Sequence, residues 1–401
     1  MDYCREAQRI KHRVAVNQRK AEMMTMPREG ETWSIGRQPR FLAAIVLLIL
    51  LNSSAADNEG VLLTGTANQK EIYGADNRID VYQETDPQRQ ASASAVCALI
   101  STNILTDAGD GTYVLDTAAA TADYLPLCED DPFSGQPIAA MCTGFMVGED
   151  LITTAGHCVL EGLFDCLIDF RRIRVVFGFE MLDPATPVTV FTQDQVYSVS
   201  EIIAAELNWF NDRDFAVLRL DRPITAPGAE PLPLRDNGRV QIGEKVGVIG
   251  HPLGLPLKLA FGADTQVYAA PQDYSGTGDI VFFTNFDACA GNSGSPVFNQ
   301  ETGVVEGVYT FSYVPDTIQY EDCFSVNQVP NSRAAQGVVM TTAFVDYVNA
   351  ANQGARGMPV GGCCGGLLKT PPADALSADA FGDVAAMLAA AALLAGRGRH
   401  A

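Results

Sequence analysis

The feature that most limits this chain's fold is a succession of short apolar runs punctuated by turn residues. AVCALI, MCTGFMVG, RIRVVFGF, EKVGVIG, DIVFFTN and GVVEGVYT are rich in Val, Ile and Phe, and Gly, Pro, Asp or Asn bound them. β-branched and aromatic residues suit a pleated, half-buried surface, and the flanking residues suit tight turns. Through the middle of the chain no apolar set recurs at helical spacing. One segment near the end does so: in TTAFVDYVNAAN, residues Phe344, Val345, Tyr347 and Val348 share a face. The pattern predicts an all-β sandwich or barrel with one short C-terminal helix. No self-similarity appears at the ~20–50-residue periods of solenoids and propellers.

Four stretches follow from shifts in composition. Residues 1–56 form a basic leader followed by the apolar run FLAAIVLLILL, Phe41 to Leu51, and the small residues of LNSSAAD. This is the layout of a signal peptide with cleavage near Ala55–Ala56, because spanning a bilayer takes ~20 apolar residues. The leader is long, so a later start at Met26 and an uncleaved anchor are the competing readings. Residues 57–126 read as an N-terminal extension or propeptide merging into the fold, and 127–353 hold the strand-rich body. Within that body, LDRPITAPGAEPLPLRDNG joins a first half, about 127–225, to a second, about 237–340, with the helix at about 341–352. Residues 354–401 form a Gly/Cys-rich tail with the apolar stretch VAAMLAAAALLA and a basic end. That tail resembles the C-terminal sorting signals of some bacterial surface proteins, which implies membrane or cell-surface attachment; an alanine-rich tail helix is the plainer reading.

Charge and cysteine content narrow the setting. The net charge is −21, and the first 56 residues are net basic, so the remainder is more acidic still. A body this acidic argues against nucleic acid as a partner, since phosphate binding needs a basic surface. Ten cysteines point to disulfides and an oxidising compartment. The expected location is therefore secreted, periplasmic or cell surface, and the expected state is a monomer.

Three local patterns carry chemistry. In CTGFMVGEDLITTAGHC a strand ends in Thr-Ala-Gly and His157 follows, flanked by Cys158. Cys142 stands sixteen positions before Cys158, a spacing that suits two antiparallel strands clipped by a disulfide. The chain has four histidines. His12 and His400 fall in the tails, His251 begins a turn held by prolines and a glycine, and His157 is the candidate general base. In NDRDFAVLRL, Asp214 opens an alternating strand. A carboxylate at the mouth of a buried strand needs a partner, and orienting a histidine ring supplies one; Asp212 is the competitor. In FDACAGNSGSPVF, Gly291 and Gly294 bracket Ser293. A nucleophile needs a tight turn that exposes its hydroxyl, with backbone N–H groups near an oxyanion, and Gly291 and Ser293 offer two of these.

TAGHC, DFAVLRL and GNSGSP, in the order His, Asp, Ser, resemble the trypsin/chymotrypsin-like serine peptidase superfamily, and GNSGSPVF is similar to its bacterial glutamyl-endopeptidase-like branch. The resemblance covers roughly Glu71 to Asn352. It implies two Greek-key six-stranded β-barrels with an active site between them, and a catalytic triad of His157, Asp214 and Ser293. An oxyanion hole from Gly291 and Ser293 is implied as well. It implies protein or peptide substrates and neither metal nor organic cofactor; an inactive, peptide-binding homologue is the alternative. A protease-chaperone with a further peptide-binding domain does not suit the tail-like composition after Asn352.

The resemblance also assigns specificity and bridges. Asp287 stands where members that cut after Lys or Arg place an acid, although relatives in this branch carry a structural Asp there. Thr310 and Ser312 stand where substrate backbone pairs with the enzyme, and Tyr309 stands where glutamyl-specific members place a histidine. Cys142–Cys158 corresponds to the family's histidine-loop disulfide and Cys289–Cys323 to the bridge near the specificity pocket. Apart from the resemblance, Cys97, Cys128 and Cys166 remain, an odd number; a Cys128–Cys166 pair, a free thiol and a bridge to Cys363 or Cys364 are the open readings. Asn292 replaces the aspartate that receives a newly cut N-terminal amine in animal digestive members, so that activation switch is expected to be missing.

Overall fold

The computed structural model describes residues 71–121, 126–161, 166–167, 170–208, 213–270, 280–312, 317–319, 322–333, 336–354 and 358–359. The signal-peptide run, Asp212 and the tail beyond Pro359, with Cys363 and Cys364, lie outside them, as does the side chain of Cys166. Among the described residues no helix is long and apolar enough to cross a membrane.

Two curled half-barrel sheets carry most of the described structure, each with eight strands. The first runs in the order Val196–Tyr197, Ile173–Phe177, Val96–Ser101, Ala140–Gly148, Leu151–Thr154, Arg213–Leu220, Val199–Asn208 and Met358–Pro359. The second runs Val267–Ala269, Val281–Thr284, Gln336–Met340, Val305–Ser312, Pro296–Asn299, Val246–Gly250, Lys258–Ala260 and Arg78–Asp80. Neighbours within both sheets are antiparallel. The expected six-stranded walls are therefore lengthened by edge strands.

Burial explains which runs became central. Eight of the nine residues of Ala140–Gly148 are buried, as are all of Leu151–Thr154 and Val246–Gly250. A strand covered on both faces reads as a continuous apolar run. Val199–Asn208 is more exposed and mixes polar with apolar residues, including Glu201 and Glu206. One hydrophobic cluster joins Phe145, Ile152, Phe215 and Leu218 of the first sheet to Ile249, Phe298, Val308 and Val339 of the second.

The ends of the described chain cross over. Arg78–Asp80 adds to the second sheet by pairing with Lys258–Ala260. The chain then enters the helix Pro87–Ser94, whose Asp86 cap accepts from the amides of Gln88 and Arg89. It continues as Val96–Ser101 within the first sheet. The stretch read as an extension thus supplies strands to both sheets. At the other end, the expected helix forms as Val345–Asn352, after a 3-10 turn at Thr341–Ala343. Phe344, Val348 and Ala351 join the shared core, and Phe344 lies 5.5 Å from Phe215, ring to ring. The proline-rich connection buries Ile224, Ala226 and Leu232 while running between the halves.

Candidate active site

Strand Leu151–Thr154 ends at a 3-10 turn, Gly156–Cys158, that presents His157. A Cβ at residue 156 would stand 2.0 Å from the Glu206 carbonyl oxygen, so only glycine fits before the histidine. Asp214, buried at the start of Arg213–Leu220, holds His157 at two points. Its Oδ1 accepts the His157 backbone N–H at 2.9 Å, and its Oδ2 lies 2.7 Å from Nδ1. The His157 side chain keeps 29% exposure, so the rest of the ring is open to a reactant. Burial alone would lower the His157 pKa, but the adjacent Asp214 charge and its hydrogen bond outweigh this and raise it above the ordinary value.

The turn expected to carry the nucleophile is built around two glycines in the left-handed region, Gly291 at φ 90° and Gly294 at φ 92°. A Cβ at residue 294 would meet the Thr143 carbonyl oxygen at 2.0 Å, and one at residue 291 would meet that of His251 at 2.4 Å. Ser293 between them is half-buried. Its carbonyl oxygen accepts from the Thr143 amide at 2.8 Å and lies 3.7 Å from Cys158 Sγ. The residue adjoining His157 and the nucleophile turn are therefore neighbours, although no hydrogen bond joins the Ser293 hydroxyl to the imidazole. Such bonds often tighten only when substrate is bound.

The backbone around Ser293 shows a selective gap. The amides of Asn292, Gly294 and Ser295 donate to the carbonyls of Cys289, Tyr309 and Asn292, at 3.0, 2.8 and 2.8 Å. Those of Gly291 and Ser293 donate to no acceptor among the described residues. These are the two donors expected to face an oxyanion.

Thr143 was not apparent as a site residue from sequence. It is buried, and its hydroxyl donates to the Gly291 carbonyl at 2.8 Å while accepting the His251 amide at 3.1 Å. Its own carbonyl accepts from Thr154 Oγ1 at 2.7 Å. One side chain of the first sheet thus fastens the nucleophile turn and the Pro252 turn of the second half. Nothing in the letters CTG marks it, because its partners are backbone groups.

The remaining expectations divide. His251 is buried, 2.9 Å from the Leu255 carbonyl through Nδ1 and stacked on Phe179, with its pKa pushed down to about 3 by burial. It is structural, as its turn suggested. Thr310 is buried and donates to the Gly337 carbonyl at 3.4 Å, while Ser312 is part-exposed at the end of the same strand. That strand is tied to the nucleophile turn through the Tyr309 backbone.

Asp287, for which both a specificity role and a structural role were open, sits among backbone donors. Its carboxylate is buried and accepts the amides of Tyr73 at 2.8 Å and Asn77 at 2.7 Å, with the Asn77 side chain at 3.2 Å. It faces the N-terminal segment, and burial pushes its pKa up to about 7 against the pull of those amides.

The disulfides also divide. Cys142 and Cys158 are bonded as expected. Cys323, however, is bonded to Cys128, which overturns both Cys289–Cys323 and Cys128–Cys166. The physical reason is the register of the chain before Phe324. The Cys128 amide donates to the Phe324 carbonyl and the Phe324 amide to that of Pro126, which brings the two Cα atoms to 5.0 Å. Cys289 stays a buried thiol. The sulfurs of Cys142 and Cys158 cluster with the His157 ring but are bonded to each other, so they offer no thiolate to a metal.

Comparison with known proteins adds three findings. Residues 142–308 match the family model of the trypsin-like peptidase domain. A curated relative, Protease Do-like 1, chloroplastic, of Arabidopsis thaliana, is 25% identical over 181 residues, covering 45% of this chain. The match spans only 40% of that relative's length. Among solved structures, a Glu endopeptidase in complex with MPD is 17% identical, with a TM-score of 0.42, covering 70% of this chain and 99% of its own. HBP is 15% identical with a TM-score of 0.41, covering 71% and 100%.

Proposed function

Because this chain carries a trypsin-like peptidase domain, we propose that it is an exported serine endopeptidase acting through an acyl-enzyme on Ser293. The observation that supports this most is the two-point hold of Asp214 on His157, which fixes the ring and leaves Nε2 as the proton acceptor. Ser293 Oγ attacks the scissile carbonyl carbon as its proton passes to His157 Nε2. The Gly291 and Ser293 amides donate to the oxygen that becomes negative. Collapse breaks the C–N bond, and His157 returns the proton to the leaving amine. Water then adds to the ester by the same route, and Ser293 regains its proton as the acid leaves.

Export is inferred from the apolar run at Phe41–Leu51, and the disulfides among the described residues, Cys128–Cys323 and Cys142–Cys158, suit an oxidising compartment. Protein or peptide substrates and a monomeric state belong to the same reading. The test is labelling with a fluorophosphonate followed by peptide mapping, beside turnover of a mixed peptide library. The expected adduct is on Ser293, and Ser293→Ala loses both label and turnover. Full turnover by Ser293→Ala would discard the mechanism.

A further inference from the structure

Asp287 stands six residues before Ser293, at the head of the stretch that leads into the nucleophile turn. Instead of facing a substrate side chain, its two oxygens are occupied by three donors from residues more than 200 positions upstream. Oδ1 takes the Tyr73 amide, and Oδ2 takes both the amide and the side-chain nitrogen of Asn77. The donating segment is fixed on either side. Before it, Glu71–Tyr73 pairs in parallel with Phe324–Val329. After it, Arg78–Asp80 pairs with Lys258–Ala260, and Asp80 forms a buried ion pair with Lys258 at 2.7 Å. Tyr73 is fully buried and Arg78 is nearly so. A carboxylate has roughly four acceptor sites, and desolvated donors already take most of them.

The neighbouring position explains why such an anchor matters. Asn292, directly before the nucleophile, is buried and neutral, so it forms no ion pair with a newly cut amine.

We propose that Asp287 is a positioning residue that latches the segment Tyr73–Asn77 onto the stretch feeding the nucleophile turn, and that it reads no basic substrate side chain. This deepens the serine-peptidase reading and rests on it. The latch moves from a free terminal amine to internal backbone amides, so the folded chain is competent without a new N-terminus at this point. It follows that the residue before the cut is not selected for positive charge by Asp287. Processing that removes residues beyond Glu71 should disarm the enzyme. Burial, with the nearby Asp76 charge, raises the pKa of the carboxyl against the pull of its amide donors and of Arg78, which accords with a group shielded from solvent.

The test uses the full-length wild-type protein with Asp287→Asn and Asp287→Ala. Hydrogen exchange read by mass spectrometry follows the Tyr73 and Asn77 amides, and a mixed peptide library reports cleavage preference. The wild type should protect both amides and show no preference for Lys or Arg. In Asp287→Ala, exchange at those amides should quicken about 10- to 100-fold, the loss expected when hydrogen bonds to a charged acceptor vanish. Turnover should fall for every peptide alike, and Asp287→Asn, which keeps one acceptor oxygen, should lie between. A wild type that prefers Lys or Arg, with only those cuts lost in Asp287→Ala, overturns the proposal; so does unchanged protection in Asp287→Ala. The wild-type profile and the Asp287→Asn exchange decide the matter if Asp287→Ala does not fold. Should the serine-peptidase reading itself fail, Ser293→Ala would leave turnover intact, while the exchange measurement would still report on the latch.

Discussion

The hydroxyl of Thr143, on a central strand of the first sheet, reaches 2.8 Å to the carbonyl of Gly291 in the second half and holds the peptide beside the nucleophile. Thr143→Val keeps the volume but removes the donor to Gly291 and the acceptor for the His251 amide. Leaving buried partners unpaired costs about 1–3 kcal/mol each. The expected result is a fall in kcat with KM little changed, since the oxyanion donors act mainly in the transition state. Thr143→Ser should recover most of the rate. A Thr143→Val enzyme matching wild type in both constants would deny Thr143 this role.

Under the proposed mechanism, His157 sets the acid limb of activity. The imidazole must be neutral to take the Ser293 proton, and Asp214 raises its pKa despite burial. The rate should therefore rise with pH through a midpoint above the ordinary value of 6.5. For stability the sign is opposite: the stabilisation from the charged pair is full below 6.5 and is lost as pH rises through the raised folded value. Asp214→Asn should move the rate midpoint down and cut kcat by ~10⁴, as loss of the orienting acid does in triads of this kind. A kcat/KM profile against pH for both proteins checks it.

Two buried groups should oppose each other in acid. His251, with its pKa near 3, refuses a proton that the unfolded chain accepts below 6.5, so its effect is to lower stability as pH falls. Asp287, near 7, keeps a proton that the unfolded chain gives up above 3.8, so its contribution is full below 3.8 and lost as pH rises toward 7. Their slopes have opposite signs between 3.8 and 6.5. Urea midpoints across that window should vary little in the wild type and fall more steeply with acid in Asp287→Asn.

The ion pair of Lys258 and Asp80 ties the N-terminal strand to the second sheet. Lys258→Met alone leaves a buried carboxylate without its cation and should destabilise by about 3–5 kcal/mol. Adding Asp80→Leu should restore much of that loss, because a well-packed apolar pair often replaces a buried ion pair at little cost. Chemical denaturation of the single and double variants measures it. A double variant weaker than the single one would contradict the assignment.

Much of this protein was legible in its letters, and the failures share a cause. The runs that became Ala140–Gly148 and Val246–Gly250 announce themselves because burial on both faces demands unbroken apolar residues. His157 and Asp214 sit in strings whose glycine and strand pattern have direct steric reasons. Thr143 and Asp287 act on backbone groups, which every residue carries, so no letter records the partner. Cys323 has the same difficulty in another form: its identity calls for a sulfur, but which sulfur depends on the strand placed beside Phe324. AVCALI shows its strand character plainly, yet its seat within the first sheet depends on neighbours far along the chain.

The bond between Cys128 and Cys323 joins positions 195 apart and closes a covalent loop that includes His157, Asp214 and Ser293. A single backbone nick anywhere inside that loop opens a ring without releasing a fragment. Self-digestion of such an enzyme would pass unseen on a non-reducing gel and show two pieces only after thiol treatment, so intactness of this protein has to be judged under reducing conditions.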